Sequence, residues 1–251
     1  MRNSEETTKI REMGVAFVKS VKPLILNKLN STYNTDQSGF NYELHSGRTL
    51  EVVGIKHISA KVQSLSALTH SYTIQPTISA DGILLTPLFV ILQEKDGKFG
   101  PKVQQDLFKA TNVFVVPSKS GKLNKEHIVT RFKEIFFPNS DKQSILLVDS
   151  WTTYKDKKAI DDVTPEESNL KMHTIPAHTT SFVQPLDVYC FRYWKNFTRR
   201  FSDRVLLDNL DIHLHQRNNI INCNLLFTIN FLLLGSSIVL NMLGTNVDIQ
   251  I

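Results

Sequence analysis

Ile145-Leu146-Leu147-Val148, followed at once by Asp149, is the stretch from which the fold can be read. Four consecutive apolar residues without alternation suit a strand covered on both faces, as in a sheet enclosed by helices. The run stops on an acid. Upstream, Ser71–Ala80 and Ile83–Gln93 flank Asp81-Gly82, a pair that predicts a tight hairpin with Asp81 in a type I′ turn. Ser31–Asp36 and Leu50–Lys56 read as further strands, Ser38-Gly39 as turn chemistry after the first, Val113–Val116 as a short β-branched strand and Leu170–Ile175 as another. Helical spacing appears three times. Ile10, Met13, Phe17 and Val21 form one face of a lead-in helix stopped by Pro23. Ile128, Phe132 and Ile135 form a second, between Asn124 as cap and Pro138 as stop. Phe191, Trp194, Thr198, Phe201 and Val205 form a third after Pro185. Hairpins first, then alternating strands and helices, predict a mixed-sheet α/β domain.

Composition narrows the class. Of 251 residues 41% are hydrophobic and 21% charged, with only 10 Gly and 9 Pro, which excludes disordered, collagen-like and low-complexity chains. The two cysteines, Cys190 and Cys223, supply neither a disulfide framework nor a four-cysteine zinc site, and fit a reducing compartment. Met1 to Ile10 is charged and lacks the apolar core of a secretory signal. A net charge of +5 leans toward a polyanionic partner.

Three aspartates stand where a strand or turn hands over to another element. Asp36 follows Asn34-Thr35, Asp149 ends the buried run, and Asp187 closes Gln184-Pro185-Leu186-Asp187 at the edge of the third helix. Catalytic groups collect at such ends, where a rigid sheet positions them and loops leave room for a ligand. Clustered ionised carboxylates repel one another unless a divalent cation neutralises them, and an all-oxygen donor set favours Mg²⁺ or Mn²⁺. A single Asp at a strand end more often forms a turn or caps a helix, and Asp187 occupies a capping place. The surrounding words must decide.

Those words resemble a family. Asn34-Thr35-Asp36-Gln37-Ser38-Gly39-Phe40, Leu146-Leu147-Val148-Asp149-Ser150 and Ile175-Pro176-Ala177-His178-Thr179-Thr180-Ser181-Phe182-Val183-Gln184-Pro185-Leu186-Asp187 resemble, in order, the three catalytic blocks of pogo-like (Tigger-type) transposases, DDE/D recombinases of the mariner superfamily. Ala80-Asp81-Gly82 with Leu85-Thr86-Pro87 is similar to the hairpin between the first two blocks. The resemblance implies an α/β fold of RNase H-like type, a mixed five-stranded sheet with helices on both faces. Asp36, Asp149 and Asp187 would hold two divalent ions, Mg²⁺ or Mn²⁺, with Asp36 and Asp149 as bridging or central ligands and Asp187 completing the shell of the second ion. The implied chemistry is phosphodiester cleavage by water, then attack of the freed 3′-hydroxyl on target DNA. Where many relatives carry Asn and His after the second aspartate, this chain has Ser150 and Tyr154, neither an obligatory ligand. Asp81 competes for the first carboxylate but is explained by its turn, and Asp161-Asp162 reads as a solvated face.

The resemblance divides the chain into a helical lead-in over 1–29, the catalytic domain over 30–217 and an apolar, Asn-rich tail over 218–251. It implies DNA as partner and the nucleus as compartment, and leaves a homodimer open. Arg192, Lys195, Arg199 and Arg200, with Arg204 beyond, read as a helix face for DNA phosphates or as an ordinary solvated face. Trp194 and Phe191 read as core, and His213 and His215 as structural or surface residues without zinc-spaced company. Only 35 residues precede Asp36, where intact relatives carry tandem helix-turn-helix modules, so a core lacking that region is expected, whether or not it turns over. No residue from Asn218 to Val247 is charged, yet seven asparagines argue against a membrane helix. Read two nucleotides out of phase with suitable codons, Ser236–Asp248 gives a family-like ending, so the tail is expected to be a frameshifted remnant without a fold. A non-catalytic nucleic-acid-binding or interaction protein that keeps the same fold is the alternative.

Overall fold

The computed structural model describes residues 4–28, 31–44, 53, 54, 56, 62–64 and 70–242. Its strands are β1 Thr32–Thr35, β2 Ser38–Asn41, β3 Ser71–Gln75, β4 Thr77–Ser79, β5 Leu88–Gln93, β6 Val113–Ser118, β7 Gln143–Val148 and β8 Asn169–Thr174. They form two four-stranded sheets, β4-β1-β7-β8 and β2-β3-β5-β6. The halves join at a seam. Tyr33 faces Ser79 and Ser38 faces Ile74 in one unbroken antiparallel register, interrupted only at Asp36-Gln37 opposite Gln75-Pro76. Pro76 has no N–H to give a ladder, so the pairing breaks and the chain bends there. Taken through the seam, the strands run β6, β5, β3/β4, β1/β2, β7, β8. The expected five strands are therefore joined by a sixth. The β-branched residues of β6 lie parallel to β5, with Leu88 opposite Val113 and Gln93 opposite Ser118.

Both faces are covered, because alternate residues of the buried strands point to opposite sides. Leu88, Val90 and Leu92 meet Phe191, Trp194, Ile220, Phe227 and Phe231, while Phe89, Ile91, Leu146 and Val148 meet Ile128, Phe132, Ile135, Phe136 and Ile160. The remaining face of β7, Ile145 and Leu147, packs with Ile175 and with Val21 and Phe17 of α1 (Ser4–Leu26). The other helices are α2 Pro101–Asp106, α3 Lys125–Arg131, α4 Phe137–Asn139, α5 Lys157–Asp161, α6 Thr180–Val183, α7 Phe191–Leu207 and α8 Arg217–Met242.

Several expectations need correction. Helix α1 does not stop at Pro23 but continues to Leu26, where Ile25 packs beside β7 and holds the last turn. Pro138 does not stop the second helix either. A π turn over Phe132–Phe136 follows α3 and runs directly into α4, which holds Pro138 and ends one residue later at Asn139. The Asn124 cap holds, its side chain accepting from the His127 N–H at 2.9 Å. Ser38 and Gly39 lie in β2 rather than a turn, because the bend comes earlier, at Asp36-Gln37. The Asp81-Gly82 hairpin has three residues between Ser79 and Ile83, with only Gly82 at positive φ (91°), so Asp81 is not in a type I′ turn. Lys155–Ser168 holds α5 and turns, with Ile160 buried and Asp161 and Asp162 exposed. Most of Leu50–Lys56 lies outside the described residues. Of the segment after 217, expected to lack a fold, residues 218–242 are helical, with Ile220, Ile221, Phe227 and Phe231 buried in the core, and residues 243–251 lie outside the described residues. Among the described residues no helix is long and apolar enough to cross a membrane.

Candidate active site at the edge of the sheet

β1 and β7 run parallel, with Thr32 opposite Ile145 and Asn34 opposite Leu147. Asp36 and Asp149 are each the first residue beyond the end of their strand and occupy matching places in that register. The third block returns to them. After β8, the Ile175 N–H donates to the Val148 carbonyl at 2.8 Å, and the chain turns through His178, in the left-handed region at φ 69°, into α6. The Leu186 N–H then donates to Asn34 Oδ1 at 3.3 Å, which brings Asp187, the next residue, over the ends of β1 and β7.

The three carboxylates sense one another. Burial, then Asp187, then Asp149 push the Asp36 carboxyl up to about 8, against the Gln37 N–H that donates to its Oδ1 at 2.8 Å. Asp149 is raised by burial and by Asp187, although the Trp151 N–H donates to it at 3.2 Å. Asp187 is raised by burial while Lys195 pulls it down. Gln184, fully buried, brings its amide up to Asp36 and favours the ionised form, yet neither amide atom reaches full hydrogen-bond geometry. Crowded oxygen donors short of positive charge suit a hard divalent cation such as Mg²⁺ or Mn²⁺. Among the described residues no three His, Cys, Asp or Glu side chains are grouped closely enough to hold one ion as they stand.

The other candidates separate. Asp81 sits in the hairpin turn and pairs with Ser79 Oγ. That turn meets the beginning of β1, where the Ala80 N–H donates to the Thr32 carbonyl, at the far end of the strand from Asp36. On α7, Arg192, Lys195 and Arg199 follow at spacings of three and four and so share a side that borders Asp187. Arg200 is exposed next to that stripe, and Arg204 pairs with Asp208. Phe191 and Trp194 are core, and the His213 and His215 rings lie against each other at 5.8 Å.

Two layers escaped the sequence reading. Asn34 was visible only as a letter of the first block, yet its side chain joins three segments. Below Asp36 lies a polar pocket in which buried Arg131 donates from Nη2 to Thr35 Oγ1 (2.8 Å) and to Thr77 Oγ1, while Gln75 pairs with the Tyr154 hydroxyl. Tyr154 is thus buried beside Gln75 and Arg131, its phenol raised by burial despite Arg131.

Parallel strands ending in neighbouring acids, inside a sheet with helices on both faces, define an RNase H-like domain. The profile of the family described as DDE superfamily endonuclease matches residues 87–235, more than half of the chain, and the protein belongs to that family. The matched span holds Asp149 and Asp187, whereas Asp36 lies before it. Among solved structures, a Mos1 strand transfer complex is similar at a TM-score of 0.50 with 11% identity, over 91% of this chain and 62% of that one. A Mos1 mariner paired end complex with Mn gives 0.48 and 9% identity, over 98% of this chain and 63% of that one. The protein therefore spans less than two thirds of the length of those chains, and at such identities the likeness is one of fold. No curated protein matches the chain.

Proposed function

We propose that the protein is the metal-dependent, DNA-cleaving core of a transposase of the pogo-like branch, with Asp36, Asp149 and Asp187 as the groups that hold Mg²⁺ or Mn²⁺. Membership of the DDE family supports the class. The observation that carries the residue assignment is the shared register of β1 and β7, which leaves Asp36 and Asp149 adjacent, with Leu186 tied back to Asn34 beside them. A pair of divalent ions bound there would polarise a phosphodiester and activate the attacking water or 3′-hydroxyl. The chain's own part is to fix the carboxylates before substrate arrives, so that little reorganisation is left for the reaction. Arg192, Lys195 and Arg199 would track the phosphates next to Asp187, a sequence-blind contact that weakens with salt.

That no three such side chains are grouped to hold an ion among the described residues favours a second reading, a DNA-binding protein that keeps the fold without turnover. Calorimetric titration with Mn²⁺, alongside Mn²⁺-dependent nicking of DNA, tests the first. Mn²⁺ binding that is lost in Asp149→Asn, together with loss of nicking, is the expected result. Binding unchanged in that variant overturns the metal assignment, and binding without nicking in the wild type leaves the second reading.

A further inference from the structure

We infer that Asn34 is the positioning residue that sets the three aspartates relative to one another. The inference deepens the metal-site reading and rests on it for its consequence, though not for its geometry. Asn34 is buried in the middle of β1, and both ends of its amide are engaged across the chain. Its Nδ2 donates to the Leu147 carbonyl at 3.1 Å, and its Oδ1 accepts from the Leu186 N–H at 3.3 Å. Each contact falls within two residues of an aspartate: Asn34 itself two before Asp36, Leu147 two before Asp149, Leu186 one before Asp187. Asn34 lies in β1 and Asp36 directly follows the strand's last residue, Thr35, so the side chain that makes both contacts stands two positions from the first aspartate. The sheet ladder already fixes β1 against β7. Asp187 belongs to no strand, and the hydrogen bond from the Leu186 N–H to Asn34 Oδ1 ties its segment to β1.

Asparagine suits this place because one planar group offers a donor and an acceptor at once. Aspartate keeps only the acceptor when ionised, and leucine keeps the shape alone. Room for leucine exists: Asn34 borders a largely apolar cavity of about 280 Å³ between α1 and the sheet, shared with Val21, Leu147, Val183 and Val188. Asn34→Leu thus keeps the packing while it cuts both hydrogen bonds.

The test uses the full chain. In Asn34→Leu the Leu186 amide is expected to lose its protection from hydrogen exchange, and Mn²⁺ affinity to fall ~10–100-fold, as when outer-shell partners of metal ligands are removed, with the thermal midpoint lowered by the unpaired Leu186 N–H while the chain stays folded. In Asn34→Asp, protection at Leu186 is retained. If Asn34→Leu does not fold, Asn34→Ser, too short to reach both partners, carries the same two measurements. Wild-type protection at Leu186 in a folded Asn34→Leu overturns the inference, as does full Mn²⁺ affinity despite lost protection. If the wild type binds no Mn²⁺ at all, the metal reading fails, and the tie is judged on exchange at Leu186 alone.

Discussion

Strands β5 and β1 both lie inside the sheet and both are shut off from water, yet they are built from opposite materials. In β5, Leu88, Phe89, Val90, Ile91 and Leu92 are buried and apolar on both faces. In β1, Thr32, Asn34 and Thr35 are as deeply buried and polar, with Tyr33 alone apolar. Each of these polar groups has a partner outside its own strand: Thr32 Oγ1 donates to the Lys28 carbonyl, Thr35 Oγ1 to the Pro76 carbonyl, and Asn34 bridges Leu147 and Leu186. An apolar strand is held by area, which is tolerant of detail. A polar strand is held by directed bonds, each of which also fixes a direction in space. The molecule places the second kind beneath its acids.

The largest effect on stability is expected in the apolar strand. Phe89 is fully buried, stacked on Phe114 at 6.0 Å and edge-on to His127 at 6.4 Å. Phe89→Ala should cost about 3–5 kcal/mol in chemical denaturation, the usual range for an aromatic removed from a core. Mn²⁺ affinity of the folded fraction should stay as it was. A loss of affinity equal to that of an aspartate variant would show that the two strands do not divide stability from site geometry.

Next comes Asp36, where the polar side carries an electrostatic load. Its folded value of about 8 lies above the ordinary 3.8. Between those values the folded protein holds a proton that the unfolded chain has released, so without metal its contribution to stability is greatest below pH 4 and is lost as pH rises toward 8. Asp36→Asn is neutral throughout. At pH 8 and without divalent ions the variant should be more stable than wild type by about 2–4 kcal/mol, the burden being shared with Asp149 and Asp187. At pH 4 the two should agree. Denaturation curves at the two pH values check this, and a variant less stable than wild type at pH 8 would remove the electrostatic explanation.

How much of this was legible beforehand follows the same division. The unbroken run Ile145 to Val148 announced a strand covered on both faces, and helical spacing gave Phe191, Trp194 and Val205 their buried side, because area-based packing leaves a periodic trace in one dimension. Pro23 and Pro138 misled because local rules were outweighed by packing of Ile25 and by a π turn. The tail looked structureless because apolar residues all round it leave no helical stripe, yet it lies over a sheet face that accepts them. The acids were legible through the words around them. Their support was not: nothing local says that Asn34 reaches Leu186, 152 positions away, or that Arg131 comes to lie under Thr35. Directed long-range bonds leave no period.

Arg131 sharpens the comparison at a smaller scale. It is buried completely, and among the described residues its Nε and Nη1 have no hydrogen-bond partner. Burying an incompletely paired charge is expensive, and apolar replacements of similar volume are often stabilising. Arg131→Met should therefore raise stability by about 1–2 kcal/mol, because the Thr77 hydroxyl already donates to Thr35 Oγ1 at 3.4 Å and Thr35 Oγ1 donates to the Pro76 carbonyl, so neither hydroxyl is orphaned when the guanidinium is gone. The same variant should reduce Mn²⁺ affinity if the pocket holds the bend at Asp36 in place. A stability loss in equilibrium denaturation would mean that the contacts to Thr35, Thr77 and the Phe132 ring outweigh the desolvation.

The smallest effect concerns the apolar support of the third acid, where α1 crosses α6. A Cβ on Gly14 would press into the Phe182 ring and come within 2.9 Å of Val183 Cγ2, so the two segments approach as closely as they do because position 14 has no side chain. Two opposing terms decide the outcome of Gly14→Ala. Alanine favours a helix interior over glycine by about 1 kcal/mol, while the contact pushes α6 away from α1. Phe182 is 44% exposed and its ring can swing outward at modest cost, which limits the strain. The net change should be a loss below about 1 kcal/mol. In a Phe182→Ala background only the Val183 contact opposes the helix preference, so the same substitution should be less harmful than in wild type, a difference that a double-mutant cycle in urea reads directly. If Gly14→Ala is equally harmful in both backgrounds, the close approach resides in the Val183 contact, and the lead-in helix then bears on the segment that delivers Asp187 through that residue alone.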